Sequence, residues 1–200
     1  MVKKKLLIAT TNQGKIKEIK KSLEHLSLEI SDLKENRIEL KYEEKGKTFL
    51  ENARGKAIFY SQFFKGLVLG EDSGLEVEKL GGAPGVYSAR FAGANANDEL
   101  NNKKLLALLE GVPWEERKAR FISAQVVVED GKVIFETIES VSGYILEEPR
   151  GNYGFGYDPV FYYPPLKKSF AELLPEEKNK VSHRGKALNR LKEFLEKYLK

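Results

Sequence analysis

Cysteine is absent from this chain of 200 residues. Its absence excludes disulfides, thiolate catalysis and thiolate metal sites, and it suits a reducing cytoplasm. Long apolar runs are absent as well, because no stretch reaches the roughly 18 apolar residues that a membrane helix needs. The apolar run within residues 1–9 is too short for a signal peptide and is soon followed by Asn12 and Lys15, so we interpret it as a first strand. We therefore expect a cytoplasmic protein without a membrane partner.

Histidine and net charge are also low. The two histidines, His25 and His183, show no zinc-ligand spacing and form no convincing Ser-His-Asp group. The net charge is +4, and the lysines and glutamates are interspersed, which is typical of a solvated surface and not of a nucleic-acid stripe. The small basic excess favours polyanionic ligands such as nucleotides. We expect no stable nucleic-acid partner.

Apolar periodicity predicts alternating strands and helices in the first half of the chain. Asn12 is a predicted helix cap, and Ile16, Ile19, Leu23 and Leu26 follow it at helical spacing. The predicted strands of this part cover residues 5–10, 28–33 and 67–69. A second helix is predicted from a capping box at residues 48–51 through about residue 64.

The second half of the chain is richer in β structure. Two long β-rich segments, residues 119–128 and 132–145, flank Asp130-Gly131, which is a strong hairpin signal. Asn97 or Asp98 caps a predicted helix before this hairpin, and the last helix is predicted to start near Ser182. The whole pattern predicts an α/β fold with an elongated mixed β-sheet flanked by helices, and 200 residues fit a single domain.

A candidate phosphate site lies where the first strand turns into the first helix, at Thr10–Lys15. A helix N-terminus offers free N–H groups and the positive end of the helix dipole, and Lys15 adds a point charge. The glycine and lysine spacing of a P-loop is absent. The alternative is a capped helix with an ordinary surface lysine.

A candidate cation site follows the predicted strand at residues 67–69, which we expect to end at Glu71–Gly74. Ligands gather at the carboxyl ends of strands in open α/β sheets, so Glu43, Glu44, Glu71 and Asp72 could converge on one hard cation. Mg²⁺ takes oxygen ligands, often only one or two carboxylates together with phosphates and waters. The alternative is a turn at Asp72 and a solvated pair at residues 43 and 44.

A third candidate is the glycine-aromatic loop, residues 151–159, which combines three glycines, three aromatic rings and Asp158. Glycine lets the backbone approach a ligand closely, and an aromatic ring on such a loop can stack on a nucleobase. The alternative is a tight turn whose rings lie in the core. Taken singly, Lys56 and Lys178 are ordinary lysines, and Ser182 next to His183 is a structural helix cap.

Six segments together resemble the inosine triphosphate pyrophosphatase family, which hydrolyses non-standard purine nucleoside triphosphates. They occur in the family's order and span nearly the whole chain. The segments are Ala9–Lys15, Gly46–Ala53, Glu71–Leu75, Leu80–Arg90, Gly154–Pro159 and Ser182–Leu188. One departure is Glu71, where some relatives carry Asp. The resemblance implies an elongated mixed sheet, two lobes with a central nucleotide-binding cleft, and a homodimer, with residues 1–200 as one pyrophosphatase domain.

The resemblance also implies Mg²⁺-dependent cleavage of ITP, dITP and XTP to the monophosphate and pyrophosphate, which cleanses the nucleotide pool. It implies Asp72 as the proton acceptor and, with Glu44, as a metal ligand, while Lys15 and Lys56 lie at the phosphates. The implied substrate contacts are Thr10, Thr11, Asn12, Gln13, Gly14, Lys15, Ser73, Phe155, Gly156, Tyr157, Asp158, Lys178, His183 and Arg184.

Base selection follows from hydrogen-bond chemistry. A donor such as Arg184, His183 or a backbone N–H facing the 6-keto group would reject adenine, while guanine must be rejected at its 2-amino group. Two alternatives remain open from the sequence. One is the Maf-like nucleotide pyrophosphatases, which prefer other bases. The other is a non-catalytic nucleotide-binding or RNA-binding module, which the carboxylates Glu44, Glu71 and Asp72 disfavour because they repel phosphate unless a cation lies between.

Overall fold

The computed structural model describes residues 3–200. Within them, strands and helices alternate at the start and a long hairpin lies in the middle, as the sequence predicts. The strands are β1 Lys4–Ile8, β2 Leu28–Asp32, β3 Leu67–Val77, β4 Lys118–Glu129, β5 Lys132–Ile145, β6 Phe161–Tyr163 and β7 Lys168–Ser169. The helices are α1 Gln13–Leu23, α2 Phe49–Ser61, α3 Asp98–Leu108, α4 Pro175–Val181 and α5 His183–Tyr198.

The strands form one mixed sheet in the order β2-β1-β3-β4-β5-β6-β7. Strand β1 pairs in parallel with β2 and with β3, and Leu6 lies opposite both Ile30 and Leu67. Strand β6 pairs antiparallel with β5 and with β7. The predicted mixed sheet flanked by helices is thus confirmed, while the predicted central cleft stays a prediction.

The chain divides into two compact units. The first consists of the residues up to Asp72 together with residues 123–139 and 184–200. Its strand β1 is buried on both faces, because Leu6 and Ile8 pack in one core cluster with α1 and α5, whereas Leu7 and Ala9 pack in another with Tyr60 of α2. This alternation is the period of two expected of a strand. The predicted apolar stripe of the last helix is confirmed, since Leu188, Leu191 and Leu195 are fully buried.

The second unit consists of residues 73–122 and 140–183. Its core is aromatic, with the rings of Phe121, Phe161 and Phe170 in mutual contact and Leu75 and Leu105 packed around them. None of the helices described in residues 3–200 has the length and apolar character needed to cross a membrane.

Local sequence signals account for most element boundaries. The side chains of Asn12, Thr48 and Asn97 each accept a hydrogen bond from a backbone N–H three residues on, as N-caps do. The predicted capping box is shifted, because Glu51 accepts from the N–H of Lys47 and not from that of Thr48. Helix α2 ends at Ser61 and not at residue 64.

The central hairpin is confirmed. Asp130 has φ of 49° and Gly131 has φ of 74°. Positive φ at both central residues is what the two-residue type I′ turn requires. The turn chemistry therefore fixes the connection between β4 and β5.

One predicted boundary is wrong, because β3 does not end at Glu71–Gly74 but continues to Val77. Strand β1 ends at Ile8, so the parallel pairing of β3 ends at Leu69. Beyond that point β3 is held in the sheet by its other neighbour, β4. The acidic residues thus follow the end of a parallel pair, where ligand sites gather, although they lie in the middle of a strand.

A buried arginine joins two elements of the second unit. The guanidinium of Arg117 donates to the backbone carbonyl oxygens of Leu109, Ile145 and Leu146 at 2.7, 2.7 and 2.6 Å. Leu109 is the C-cap of α3, and Ile145 ends β5. The arginine therefore supplies donors to carbonyls that a helix end and a strand end leave without intra-element partners.

We expect Arg117→Met to lower the free energy of unfolding by about 3 kcal/mol or more, because buried carbonyls would lose their donors. The control is Arg120→Met on β4, the strand that begins directly after Arg117. The half-exposed guanidinium of Arg120 pairs with Glu76, and its loss should cost less than about 1 kcal/mol. Urea denaturation of both variants measures the difference, and equal losses would contradict the structural role of Arg117.

Candidate functional site

Helix α2 lies unusually close to β3 because residue 70 is glycine. A Cβ atom at Gly70 would collide with the carbonyl oxygen of Ala53 and with Ala57 of the helix. A glycine in a strand often marks such a close approach of another backbone. The approach brings one face of α2, which carries Asn52 and Lys56 one turn apart, onto the acidic stretch of the strand.

Asp72 is buried and held by an asparagine. Its Oδ2 accepts a hydrogen bond from Nδ2 of Asn52 at 3.0 Å, and Oδ1 of Asn52 accepts from the N–H of Gly46 at 2.8 Å. Asn52 therefore orients the carboxylate and fixes the loop before α2 at the same time. Sequence reasoning assigned Asn52 no role of its own.

Lys56 connects the same strand to Glu44. Its Nζ donates to the backbone carbonyl oxygen of Glu71 at 2.9 Å and lies 2.6 Å from Oε1 of Glu44. The lysine side chain is only 10% exposed, so it is not the ordinary surface lysine of the alternative interpretation. Its contact with phosphate stays a prediction.

Glu71 lies on the opposite face of β3 from Asp72, because successive residues of a strand alternate. Its Oε1 accepts from Nε of Arg184 at 2.7 Å and from Oγ of Ser123 at 3.2 Å. Nη1 of Arg184 in turn donates to Oε2 of Glu18 at 2.7 Å. The expectation that Glu71 joins a cation site with Asp72 is therefore wrong, since Arg184 already neutralises it.

Glu43 is also outside the acidic group. It is exposed and pairs with Lys45, with 2.9 Å between Oε2 and Nζ. Glu44 and Asp72 are thus the two carboxylates left from the predicted four, and each contacts a side chain of α2, Glu44 that of Lys56 and Asp72 that of Asn52. Within residues 3–200, no three His, Cys, Asp or Glu side chains group closely enough to form a metal site by themselves.

The two neighbouring carboxylates of β3 have pKa values shifted in opposite directions. Burial raises the pKa of Asp72 and Glu44 adds to the rise, while Lys15 and Lys56 oppose it, and the net shift is upward. Burial also raises the pKa of Glu71, but the charges of Arg184 and Lys15 outweigh it and hold that pKa below its ordinary value. Asp72 is therefore the carboxyl group that can exchange a proton nearer to neutral pH.

The predicted phosphate site has the expected local structure. Oδ1 of Asn12 accepts from the N–H of Lys15 at 3.0 Å and so caps α1, and Oγ1 of Thr10 accepts from the N–H of Asn12 at 3.2 Å. Thr11 and Gln13 are exposed, while Gly14 and Lys15 are half-buried. Desolvation lowers the pKa of Lys15, and Glu71 and Asp72 oppose that shift. Lys15 thus belongs electrostatically to the acidic site.

The glycine-aromatic loop of the second unit is fixed by a buried ion pair. Nζ of Lys178 lies 2.6 Å from Oδ2 of Asp158, and the same oxygen accepts from the N–H of Phe155 at 3.0 Å. The ammonium group of Lys178 also lies 4.8 Å from the centre of the Phe155 ring. This geometry orders the ring that the sequence predicts to stack on a base.

The three rings of this loop have different environments. Tyr157 is buried in the core, and its hydroxyl donates to the carbonyl oxygen of Ser88 at 2.7 Å. Phe155 is half-buried and Tyr153 is 50% exposed. The alternative of core rings therefore holds for Tyr157 and not for the other two.

The predicted substrate contact His183 is the first residue of α5 and is buried. Its ring stacks on Phe121, with 4.6 Å between ring centres and 9° between ring planes. His25 is exposed, as expected. Ser182 precedes α5 with extended backbone angles, in agreement with a cap position.

Comparison with known proteins agrees with the resemblance seen in the sequence. The model of the Ham1 family matches residues 6–194. The dITP/XTP pyrophosphatase of Thermoanaerobacter pseudethanolicus is 52% identical over 197 residues, which are 98% of this chain and 98% of that protein. The dITP/XTP pyrophosphatase of Bacillus subtilis is 46% identical over 197 residues, with 98% and 99% covered.

Solved structures give the same result. The Ham1 protein of Staphylococcus aureus superimposes with a TM-score of 0.87 at 39% identity and covers 98% of this chain and 100% of its own. The structure described as nucleoside-triphosphatase / dITP/XTP pyrophosphatase from Mycobacterium abscessus gives a TM-score of 0.72 at 37% identity, with 94% and 97% covered.

The raised pKa of Asp72 predicts that its ionisation destabilises the folded protein. This loss of folding free energy is absent when the pH is well below the ordinary pKa of 3.8, and it is complete when the pH is above the raised pKa of the folded state. In metal-free buffer, Asp72→Asn should therefore have a larger free energy of unfolding than the wild type at pH 7. The gain should shrink as the pH falls toward 4.

Urea denaturation at both pH values measures this difference. The control is Glu43→Gln, which alters an exposed carboxylate and should give no comparable gain. A gain of Asp72→Asn that is the same at both pH values would show that ionisation is not its cause.

Proposed function

This chain belongs to the Ham1 family, and we propose that it hydrolyses the non-standard purine nucleoside triphosphates dITP, XTP and ITP to the monophosphate and pyrophosphate. The observation that carries the proposal is the buried carboxylate of Asp72, held by Asn52 beside Lys56 and Glu44. It lies in a chain that is 52% identical to a dITP/XTP pyrophosphatase. Both compact units form one functional domain in this proposal.

The residues present fit a magnesium ion. Glu44 and Asp72 supply carboxylate oxygens, and Glu44 raises the pKa of Asp72, so a divalent cation would relieve the repulsion between them. One or two carboxylates completed by phosphates and waters are typical of Mg²⁺ sites. When bound there, Mg²⁺ supplies positive charge for the phosphate oxygens of the substrate.

Asp72 is the proposed proton acceptor. It takes a proton from the water that attacks the α-phosphorus in line, and pyrophosphate leaves with the electrons of the broken P–O bond. A raised pKa suits this role because a general base works best when its pKa approaches the operating pH. Asn52 fixes the direction of the carboxylate, which catalysis of this kind requires.

Lys15, Lys56 and the N-terminus of α1 are the proposed phosphate-binding groups. Phosphoryl-type transfer depends mainly on positioning and on charge stabilisation of the phosphate oxygens. The capped helix end at Thr10–Gly14 offers N–H groups for those oxygens. Lys56 contacts Glu44 in this structure. Binding of substrate and cation would separate this ion pair, with Lys56 contacting the phosphates and Glu44 contacting the cation.

The purine is the proposed ligand of the glycine-aromatic loop, with Phe155 as the stacking ring. Base stacking on an aromatic ring contributes about 1–3 kcal/mol per base. Asp158 and Lys178, which hold Phe155, together with Gly156, Tyr157, His183 and Ser73, complete the proposed substrate contacts. For Arg184 we propose an action through Glu71 and Glu18, since two of its nitrogens face those carboxylates. Its direct contact with the base stays a prediction.

The remaining proposals concern the protein in the cell. We propose that it acts as a homodimer in the cytoplasm on free nucleotides. The absence of cysteine suits that compartment.

Product analysis tests the reaction. With Mg²⁺, the protein should convert dITP and XTP to the monophosphates and pyrophosphate while ATP and GTP persist, and EDTA should abolish turnover. Anion-exchange chromatography identifies the products. Release of inorganic phosphate and a diphosphate would show that another phosphorus is attacked. Nucleotide binding that survives EDTA without turnover would favour a non-catalytic binding module.

Mg²⁺ titrations of three variants separate the roles of the carboxylates. Asp72→Asn should lower kcat by ~10²-fold or more at every Mg²⁺ concentration, because it removes the general base. Glu44→Gln should need roughly tenfold more Mg²⁺ for half-maximal rate, a loss typical of weakened metal sites. Glu43→Gln, whose carboxylate is exposed, is the matched control and should behave as the wild type. Normal turnover of Asp72→Asn would exclude Asp72 as the base.

A further inference from the structure

Helix α3 contacts the glycine-aromatic loop through two side chains that meet the same glycine. Oδ2 of Asp98 accepts from the N–H of Gly156 at 2.6 Å, and Nδ2 of Asn102 donates to the carbonyl oxygen of Gly156 at 2.9 Å. We propose that Asp98 and Asn102 are positioning residues that hold the loop in the shape needed to stack Phe155 on the purine. This inference rests on the proposed function.

The two contacts fix the backbone on both sides of one residue. Gly156 has φ of 64°, in the left-handed region that favours glycine, and glycine loses more conformational freedom on ordering than any other residue. Asp98 holds the peptide group before its Cα atom, and Asn102 holds the one after it. Together they select one backbone conformation from the many that a glycine can adopt.

The position of Gly156 makes this selection relevant to substrate. It separates Phe155, the proposed stacking ring, from Tyr157, whose ring is anchored in the core by the carbonyl oxygen of Ser88. A rotation at Gly156 would move Phe155 relative to that anchor. Ordering the loop before the nucleotide arrives removes an entropic cost from binding.

The capping of α3 leaves Asp98 available for this contact. Asn97 provides the cap, because its Oδ1 accepts from the N–H of Leu100 at 2.8 Å. Asp98 is the first residue of the helix, and its carboxylate faces the loop instead. One turn further along the same face, Asn102 reaches the carbonyl group of Gly156.

The neighbouring residues Asn101 and Asn102 of α3 differ in how many of their side-chain polar atoms are hydrogen-bonded. Asn101 uses both polar atoms, since its Oδ1 accepts from the N–H of Ala92 and its Nδ2 donates to the carbonyl oxygen of Ala89. Oδ1 of Asn102 is buried and has no hydrogen-bond partner among residues 3–200. A buried acceptor without a partner lowers stability, so Asn102 suits a role in the loop better than a role in folding.

Steady-state kinetics with XTP test the proposal. Asp98→Ala and Asn102→Ala should each raise KM by about 5- to 10-fold, the effect of one lost hydrogen bond in an ordered loop, while kcat changes less than about twofold because stacking acts on ground and transition states alike. Asp98→Asn keeps an acceptor oxygen and should restore most of the loss. Asn102→Ala should keep its Tm close to that of the wild type, because it also removes the buried acceptor.

Two controls lie on the same helix. Asn101→Ala should lower Tm through its two lost contacts with the segment at residues 89–92 and leave KM for XTP unchanged. Lys103→Ala, whose side chain is exposed, should change neither quantity. If Asn102→Ala leaves KM unchanged, or if Asn101→Ala raises it equally, the positioning role is wrong.

Hydrogen exchange of the Gly156 amide, followed by NMR, provides a readout that does not need turnover. Exchange should be faster in Asp98→Ala than in the wild type and in Lys103→Ala. Unchanged exchange would overturn the proposal. A wild type that hydrolyses neither XTP nor dITP would contradict the proposed function, whereas faster exchange in Asp98→Ala would still support the hold of α3 on the loop.

Discussion

The missing side chain of Gly70 sets how closely α2 can lie against β3, and the acidic site depends on that distance. The short side chain of Asn52 and the long side chain of Lys56 both extend from α2 to the stretch of β3 that directly follows Gly70. Through them the loop before α2 is also fixed, because Asn52 binds Gly46 and Lys56 binds Glu44. A single small residue therefore organises three segments that carry charge.

The alternation of β3 then assigns different chemistry to adjacent carboxylates. Glu71 faces Arg184 and keeps its charge in a buried ion pair, whereas Asp72 faces α2 and has a raised pKa. Two titratable groups whose environments shift their pKa values apart are a common arrangement at sites of acid and base chemistry. The strand backbone provides this separation without any loop or extra element, since neighbouring residues point to opposite faces.

Local chemistry explains what the sequence predicts well. The caps at Asn12 and Thr48 and the turn at Asp130 depend on contacts within a few residues, and the structure has them all. The length of β3 depends instead on its pairing with β4, which no local pattern contains.

The same limit applies to the candidate site. The partner of Glu71, Arg184, lies 113 residues away along the chain, so residue spacing does not indicate that this carboxylate is neutralised. Of the four candidate carboxylates, only Glu44 and Asp72 therefore stay candidates for the cation site. Sequence reasoning missed Asn52 because its amide side chain is uncharged and so adds nothing to the charge pattern of the chain. Resemblance to a family supplied the choice of Asp72 and Glu44, which composition and periodicity left open.

The division of the chain into units bears on its synthesis. The path leaves the first unit after Asp72, returns to it at Ser123, leaves again after Glu139 and returns at Arg184. Neither unit is a continuous stretch of sequence, so an elongating chain on the ribosome cannot complete the first unit until α5 has emerged. Arg184 opens this third segment of the first unit, so the guanidinium that neutralises Glu71 is synthesised after the first two segments. The ion pair that neutralises Glu71 therefore cannot form before residue 184 has emerged, so burial of this charge follows synthesis of most of the first unit.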